Sequence, residues 1–264
     1  MSNGTPNNDT PQLKGILFDL DDTLIDWSGF SGDWPSMERR HLTNVYEYLK
    51  TSGRALKVSF EDFAREYRNR TVNAWEEARA TLRAPHMVRI FEGTLSDFGF
   101  VPDDDITYEK CLQVYEWGPV PGVKVFPDVP PMLQEFLDRG VTIGIITNAS
   151  QPMRIRDHEL EGFDLLRFFQ NDLRYSAADI GYLKPHPQIF HHVLDVMGAQ
   201  PSEAIYIGDN PVADVVGAQR AGMRGVLRRT DNLSPLSSDL VEPDGIIDTF
   251  YDLPDLLDSW FPGW

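Results

Sequence analysis

Three apolar runs in this chain of 264 residues end in the same way, because each is followed at once by polar side chains. Runs this apolar and this short are typical of strands buried on both faces of a parallel sheet. The carboxyl ends of such strands share one edge, where ligands of open α/β sheets bind. The sequence therefore predicts a polar site at this edge. Its residues follow the three runs: Asp19 after 15–18, Thr147-Asn148 after 141–146, and Gly208-Asp209 after 204–207.

The chain beyond residue 122 alternates between helical and strand patterns with short connections. Such alternation predicts the α/β class, with a doubly wound, Rossmann-like parallel sheet covered by helices. Further short strands are expected near 172–175, 225–227 and 245–247. The expected helices lie near residues 128–139, 152–160, 187–197 and 211–221.

Residues 28–117 follow a different pattern, which is helical throughout and has no clear alternating strand. Residues 28–118 hold 12 of the 24 Lys and Arg but 15 of the 41 Asp and Glu, so they are less acidic than the rest. Pro35 suits the first turn of one helix, and Ser59 with Asp62 suits the start of a second. We therefore predict a cap of about four helices at 28–117, a core at 13–27 and 118–264 with a hinge at 118–122, and a flexible tail at 1–12.

Composition narrows the class of partner. The net charge of −17 argues against a nucleic-acid duplex or an anionic membrane, because both require a basic face. No stretch approaches the roughly 18 apolar residues of a membrane span, and the polar start does not resemble a signal peptide. The single cysteine, Cys111, agrees with a reducing compartment, so a cytoplasmic location is expected. A homodimer is left open.

Two aspartates two residues apart carry the chemical prediction. Asp19 and Asp21 fall close together at a strand end, where like charges repel unless a proton or cation intervenes. A hard, oxygen-preferring ion such as Mg²⁺ stabilises this arrangement. Asp209 adds a third carboxylate from another strand end, and Asp214 lies about one helical turn further on, within reach of the same ion.

Four short motifs in order resemble the phosphatases of the haloacid dehalogenase superfamily. They are Asp19-Leu20-Asp21-Asp22-Thr23, Thr147-Asn148, Lys184-Pro185, and Gly208-Asp209 through Asp214. The resemblance spans the chain except its first dozen residues, and the helical insertion is similar to the mobile cap of one class of the family. Each motif alone is also typical of an ordinary turn or helix cap.

The resemblance implies a Mg²⁺-dependent phosphoric monoester hydrolase acting on a small phosphorylated metabolite. Asp19 would be the nucleophile and a metal ligand, and Asp209 a second metal ligand. Asp21 would be the general acid and base, with its main-chain carbonyl on the metal and a raised side-chain pKa. Thr147, Asn148 and Lys184 would bind the phosphate, whereas Thr23 and Asp214 would support the site.

Several alternatives stay open from sequence. A haloacid dehalogenase or a phosphonatase would depart from the pattern at Asp21, whereas a phosphomutase or another phosphotransferase would keep every motif. A non-catalytic binding module is disfavoured by the presence of both Asp19 and Asp21. Tryptophans 27, 34, 75 and 117 lie in or beside the cap, where core packing is the first expectation, although Trp27 lies just past the catalytic turn.

Overall fold

The computed structural model describes residues 12–230 and 241–264. The predicted tail therefore lies outside the described residues, apart from its last residue. Ten α-helices and eight strands are assigned in the described part of the chain. In chain order they are β1 Gly15–Phe18, β2 Ile25–Asp26, α1 Trp34–Thr51, α2 Phe60–Thr81, α3 Met87–Asp97, α4 Tyr108–Tyr115, β3 Lys124–Val125, α5 Val129–Asp138, β4 Thr142–Thr147, α6 Met153–Gly162, β5 Arg174–Ser176, α7 Ala177–Ile180, α8 Pro187–Met197, β6 Ala204–Gly208, α9 Gly217–Arg220, β7 Arg224–Arg228, β8 Gly245–Ile247 and α10 Leu253–Trp260.

Six strands form one parallel sheet in the order β5-β4-β1-β6-β7-β8. All six strands predicted from the apolar runs are found, so the predicted α/β fold is confirmed. Phe18 of β1 aligns with Ile145 of β4 on one side and Ile207 of β6 on the other. After β1 the chain first adds β4 and β5 on one side and then β6, β7 and β8 on the other, so the strand order reverses at β1. The carboxyl ends of β1, β4 and β6 therefore lie next to one another.

Alternation along β1 divides the core between the two faces of the sheet. Ile16 and Phe18 belong to a cluster packed under α5, α6 and α10, whereas Leu17 belongs to the cluster under α8 and α9. Successive side chains of a strand point to opposite faces, so a run buried throughout must be covered by helices on both sides. This explains why the strand sequences read as continuously apolar.

Helices α1 to α4 form an insertion between β2 and β3, and they supply most of a separate hydrophobic cluster, to which Ile155 of α6 also belongs. Asp33 accepts a hydrogen bond from the Ser36 amide at the start of α1, and Ser59 accepts one from the Asp62 amide at the start of α2. Cys111 is fully buried in this cluster. Among residues 12–230 and 241–264, no helix combines the length and the apolar character that crossing a membrane requires.

Two features differ from the sequence prediction. β2 and β3 form a short antiparallel ribbon at the entry to and exit from the insertion, pairing Ile25 with Val125. Two-residue strands are too short to show any period in a sequence. The helix predicted over 211–221 is instead a π-helix at Pro211–Val216, followed by α9. π-helical turns accommodate a local distortion and are frequent at functional sites.

Candidate active site

A cavity of about 240 Å³ opens at the carboxyl ends of β1, β4 and β6. Seven of the eight residues predicted for the site line it, namely Asp19, Asp21, Thr147, Asn148, Lys184, Asp209 and Asp214. The eighth, Thr23, is fully buried beside it, with a hydroxyl that has no hydrogen-bond partner. The main-chain carbonyl of Thr23 instead accepts a hydrogen bond from Arg228 at 2.9 Å. The structure thus brings the predicted side chains together, apart from Thr23.

Lys184 lies at the centre of the cavity floor. Its Nζ is 2.7 Å from Asp19 Oδ1, 2.7 Å from Asp214 Oδ1 and 2.7 Å from the Tyr206 hydroxyl. Tyr206 in turn donates its hydroxyl proton to the carbonyl of Ile146 at 2.6 Å. Burial disfavours the ammonium form, but the charges of Asp19 and Asp214 outweigh this effect and raise the pKa of Lys184. A fixed cation is therefore held against the carboxylate of Asp19.

The carboxylates of Asp19, Asp209 and Asp214 offer oxygen atoms within 4.8 Å of one another, and we call these three residues the acidic cluster. Burial, reinforced by neighbouring acids and opposed by Lys184, raises the pKa of Asp19 to about 7. Burial together with Asp19 and Asp214 raises the pKa of Asp209 to about 8. Crowded carboxylates of this kind gain from a bound cation, and an all-oxygen set fits Mg²⁺. The residues present therefore fit the metal that the motifs imply.

The loop after β6 shapes the acidic cluster. The side-chain Oδ1 of Asn210 accepts hydrogen bonds from the main-chain amides of Val212 and Ala213. The main-chain amide of Asn210 donates to Asp214 Oδ2 at 2.9 Å. A Cβ atom at Gly208 would lie only 2.2 Å from that same carboxylate oxygen. Glycine is required here because the carboxylate folds back over the strand end, which places Asp214 beside Lys184.

Asn148 fixes the main chain of Lys184. Its Oδ1 accepts from the amide of Lys184 at 2.8 Å, and its Nδ2 donates to the carbonyl of Lys184 at 3.0 Å. This two-way pairing joins the end of β4 to a segment 36 residues later in the chain. The contacts of Asn148 in the structure thus position the lysine, while its side chain still lines the cavity.

Asp21 differs from its neighbour Asp19. Its carboxylate accepts hydrogen bonds from Arg156 at 2.7 and 3.2 Å and from the Trp27 indole at 2.8 Å. Burial would raise the pKa of Asp21, but the charge and hydrogen bonds of Arg156, together with the hydrogen bond from the Trp27 indole, lower it below its usual value. The expectation of a raised pKa was therefore wrong for this structure, because it considered the acidic neighbours and not the arginine.

Arg156 is a residue that the sequence analysis missed. It is 4% exposed, and its Nε lies 2.8 Å from Glu159, which is fully buried. The indole of Trp117, at the end of the insertion, contacts Glu159 at 3.5 Å. Arg156 lies in α6, where an arginine is ordinarily read as a solvated side chain, and 135 residues separate it from Asp21. The lone sequence signal was a strongly polar stretch, which does not identify a partner.

Comparison with known proteins places the chain in a family. The model of the haloacid dehalogenase-like hydrolases matches residues 13–222. The chain therefore belongs to this family, as its four motifs had predicted.

Individual relatives cover nearly the whole chain. Glyceraldehyde 3-phosphate phosphatase from Methanopyrus kandleri is 28% identical over 93% of this chain and 97% of its own length. Phosphoserine phosphatase from Thermus thermophilus is 27% identical over 81% of this chain and 88% of its own. Among solved structures, a 2-haloacid dehalogenase from Pseudomonas syringae superposes with a TM-score of 0.60 at 27% identity, covering 94% of this chain and all of that one.

Proposed function

We propose that the protein is a Mg²⁺-dependent phosphatase that hydrolyses a small phosphomonoester through a phosphorylated Asp19. The observation that carries the proposal is the contact of Lys184 with Asp19 inside the acidic cluster. A carboxylate nucleophile, a fixed cation and an oxygen-rich metal site together supply what phosphoryl transfer requires. Two of the relatives are named as phosphatases of small phosphomonoesters, which supports the same class of reaction.

In the first half of the proposed reaction, an oxygen of Asp19 attacks phosphorus and the ester oxygen leaves as an alcohol. Asp21 lines the same cavity and supplies the proton that the leaving oxygen takes up. Lys184 neutralises charge on the phosphoryl oxygens, and Thr147 offers a hydroxyl near them. The products of this half are the free alcohol and an acyl phosphate on Asp19.

In the second half, Asp21 removes a proton from water, which attacks the acyl phosphate and releases inorganic phosphate. The pairing with Arg156 suits this base role, because it keeps Asp21 ionised. Donation of a proton in the first half requires the opposite state. We therefore propose that the contact between Asp21 and Arg156 lengthens when substrate enters, which lets Asp21 take up a proton.

Residues of the acidic cluster would hold the metal, with Asp19 and Asp209 as ligands and Asp214 orienting the site beside Lys184. The family resemblance adds the main-chain carbonyl of Asp21. When bound, Mg²⁺ would neutralise charge on the transferring phosphoryl group. The cavity of about 240 Å³ accommodates a phosphoryl group rather than a protein surface, so we propose a small metabolite as substrate.

The decisive experiment measures phosphate release from 4-nitrophenyl phosphate with and without Mg²⁺. Asp19→Asn removes the nucleophile, so we expect kcat to fall by about 10³-fold or more. Asp138→Asn, at an exposed position on α5, is the matched control and should retain full activity. Full activity in Asp19→Asn, or after complete chelation of metal, would overturn the mechanism.

The same assay separates the alternatives. A phosphomutase fed a sugar monophosphate would yield an isomer without free phosphate. A binding module would yield neither product under any metal condition. Stoichiometric release of phosphate and alcohol supports the proposal.

A further inference from the structure

A second, larger cavity of about 570 Å³ adjoins the cavity of the acidic cluster. The two share the lining residues Asp21, Asp22 and Asn148, so they lie side by side along these three residues. Four of the six tryptophans of the chain line the larger one. We call it the aromatic cavity after its five rings, which are Trp27, Phe30, Trp34, Trp75 and Trp117.

Three of these rings contact one another where the chain enters the insertion. The ring centroids of Trp27 and Trp34 are 5.3 Å apart, and Phe30 lies 5.8 Å from Trp27 and 5.5 Å from Trp34. Trp34 is nevertheless 51% exposed, so the expectation of core packing is wrong for this residue. A large aromatic surface left open beside a cavity is typical of a site that a ligand covers.

Polar side chains in the wall are already engaged with the protein. The indole nitrogen of Trp27 donates to Asp21, Asn148 pairs with the main chain of Lys184, and Arg156 pairs with Asp21. Ser150 and Gln151 add two polar side chains, and the hydroxyl of Ser150 donates to Gln151 Oε1 at 3.5 Å. A ligand rich in hydroxyl groups would lose hydrogen bonds to water without replacing them, whereas a flat ring with a few polar edge atoms would not.

The volumes of the two cavities indicate which part of a ligand each one can hold. Small-molecule sites measure roughly 300–1,000 Å³, and the cavity of about 240 Å³ lies below that range. The aromatic cavity falls inside that range. With the phosphoryl group beside Asp19, the rest of the substrate extends past Asp21 toward the rings.

We infer that the aromatic cavity binds the leaving group, and that the substrate is a phosphomonoester whose alcohol carries a planar aromatic ring of nucleobase size, the chemistry of a nucleoside 5′-monophosphate. This inference rests on the proposed phosphatase function and adds a substrate class to it. Stacking of a base on an aromatic side chain is strong enough to change affinity by about tenfold or more.

The test compares adenosine 5′-monophosphate with ribose 5-phosphate, which is the same phosphate ester without the base. We expect kcat/KM to be about tenfold or more higher for the nucleotide. Trp34→Ala should lower the ratio of the two kcat/KM values by about fivefold or more, and Trp34→Phe, which keeps a ring, should restore most of it. Trp264→Ala is the matched control, because this tryptophan lies at the chain end beside Arg139 and should leave the ratio unchanged.

Binding measured by calorimetry on Asp19→Asn separates the two proposals, because it requires no turnover. Equal affinity and equal kcat/KM for the two probes would overturn the inference and leave the phosphatase proposal intact. Tighter binding of the nucleotide without phosphate release from either probe by the wild-type enzyme would support the ring site and overturn the phosphatase proposal. An unchanged ratio in Trp34→Ala would also overturn the inference.

Discussion

The acidic cluster and the aromatic cavity lie side by side but are built in opposite ways. The cluster takes its side chains from strand ends and the loops that follow them, within the parallel sheet. The aromatic cavity takes its rings from the entry segment, from α1 and α2, and from the segment after α4. One region is charged and tightly paired, and the other is lined by aromatic rings and partly open.

On the proposed function, this difference separates the groups that react from the groups that recognise the substrate. The ends of parallel strands are held by the hydrogen bonds of the sheet, so the groups that would react keep fixed distances. The rings belong mostly to the insertion, whose sequence can change without disturbing those distances. Such a division allows one reaction to serve different substrates, in agreement with relatives that act on glyceraldehyde 3-phosphate and on phosphoserine.

The largest expected effect on stability comes from removing the lysine at the centre of the charged region. Lys184→Met leaves Asp19 and Asp214 buried without their shared cation, so the free energy of unfolding at neutral pH should fall by about 3 kcal/mol. The loss should shrink at acid pH, where the carboxylates take up protons. Urea unfolding followed by circular dichroism measures both values.

Lys124→Met provides the control for that experiment. Lys124 pairs with Asp26 at 3.5 Å but is 68% exposed, so its removal should cost far less. Equal losses in the two variants would show that the buried pairs of Lys184 do not stabilise the fold.

A smaller effect concerns metal and pH in the charged region. Ordinary aspartates ionise near 3.8, but Asp19 and Asp209 hold protons to about 7 and about 8 in the folded protein. From about pH 3.8 up to about 7 or 8, the folded state therefore binds more protons than the unfolded state. The contribution of these two groups to the free energy of unfolding falls as pH rises through that range. Mg²⁺ competes with the protons, so its affinity should rise over the same range.

Thermal unfolding at about pH 6 and about pH 8.5, with and without Mg²⁺, measures this linkage. A tenfold gain in affinity at the higher pH corresponds to about 1.4 kcal/mol of extra stabilisation at saturating metal. Equal stabilisation at both values would mean that the carboxylates of the acidic cluster do not take up the ion.

The smallest expected effect concerns the hydrogen bond that joins the two regions, from Trp27 to Asp21. Trp27→Phe keeps a ring in the aromatic cavity but removes the hydrogen bond from the indole to Asp21. Because that bond lowers the pKa of Asp21, we expect the acid limb of the pH profile of kcat to move up by about half a unit. Trp34→Phe makes the same change of ring without touching Asp21, and its acid limb should stay in place.

Much of the charged region could be predicted from the sequence. Asp19, Thr147 and Asp209 follow apolar runs that became β1, β4 and β6, and the register of the sheet brings those ends together. Lys184 was found by its motif rather than by any strand. The boundary of the cap and the roles of the individual side chains stay predictions.

Other features had no signal that a sequence could carry. Asp214, within the π-helix at Pro211–Val216, accepts a hydrogen bond from the main-chain amide of Asn210. The pairing of Arg156 with Asp21 spans 135 residues. Tyr206 reads as one more apolar strand residue, yet its hydroxyl contacts Lys184. Each depends on where a side chain points after packing, which neither periodicity nor a short motif specifies.

The sequence by itself determined the parallel sheet and the edge at which polar groups meet, because burial on both faces requires apolar strands and parallel strands all end at one edge. Only the tertiary structure decided in which direction the pKa of each of the two aspartates is shifted. Asp19 faces other carboxylates and Lys184, whereas Asp21 faces Arg156 and Trp27, so the same residue type two positions apart has its pKa raised in one case and lowered in the other. Electrostatic environments are set by distances between side chains remote in sequence, and those distances exist only once the chain has folded.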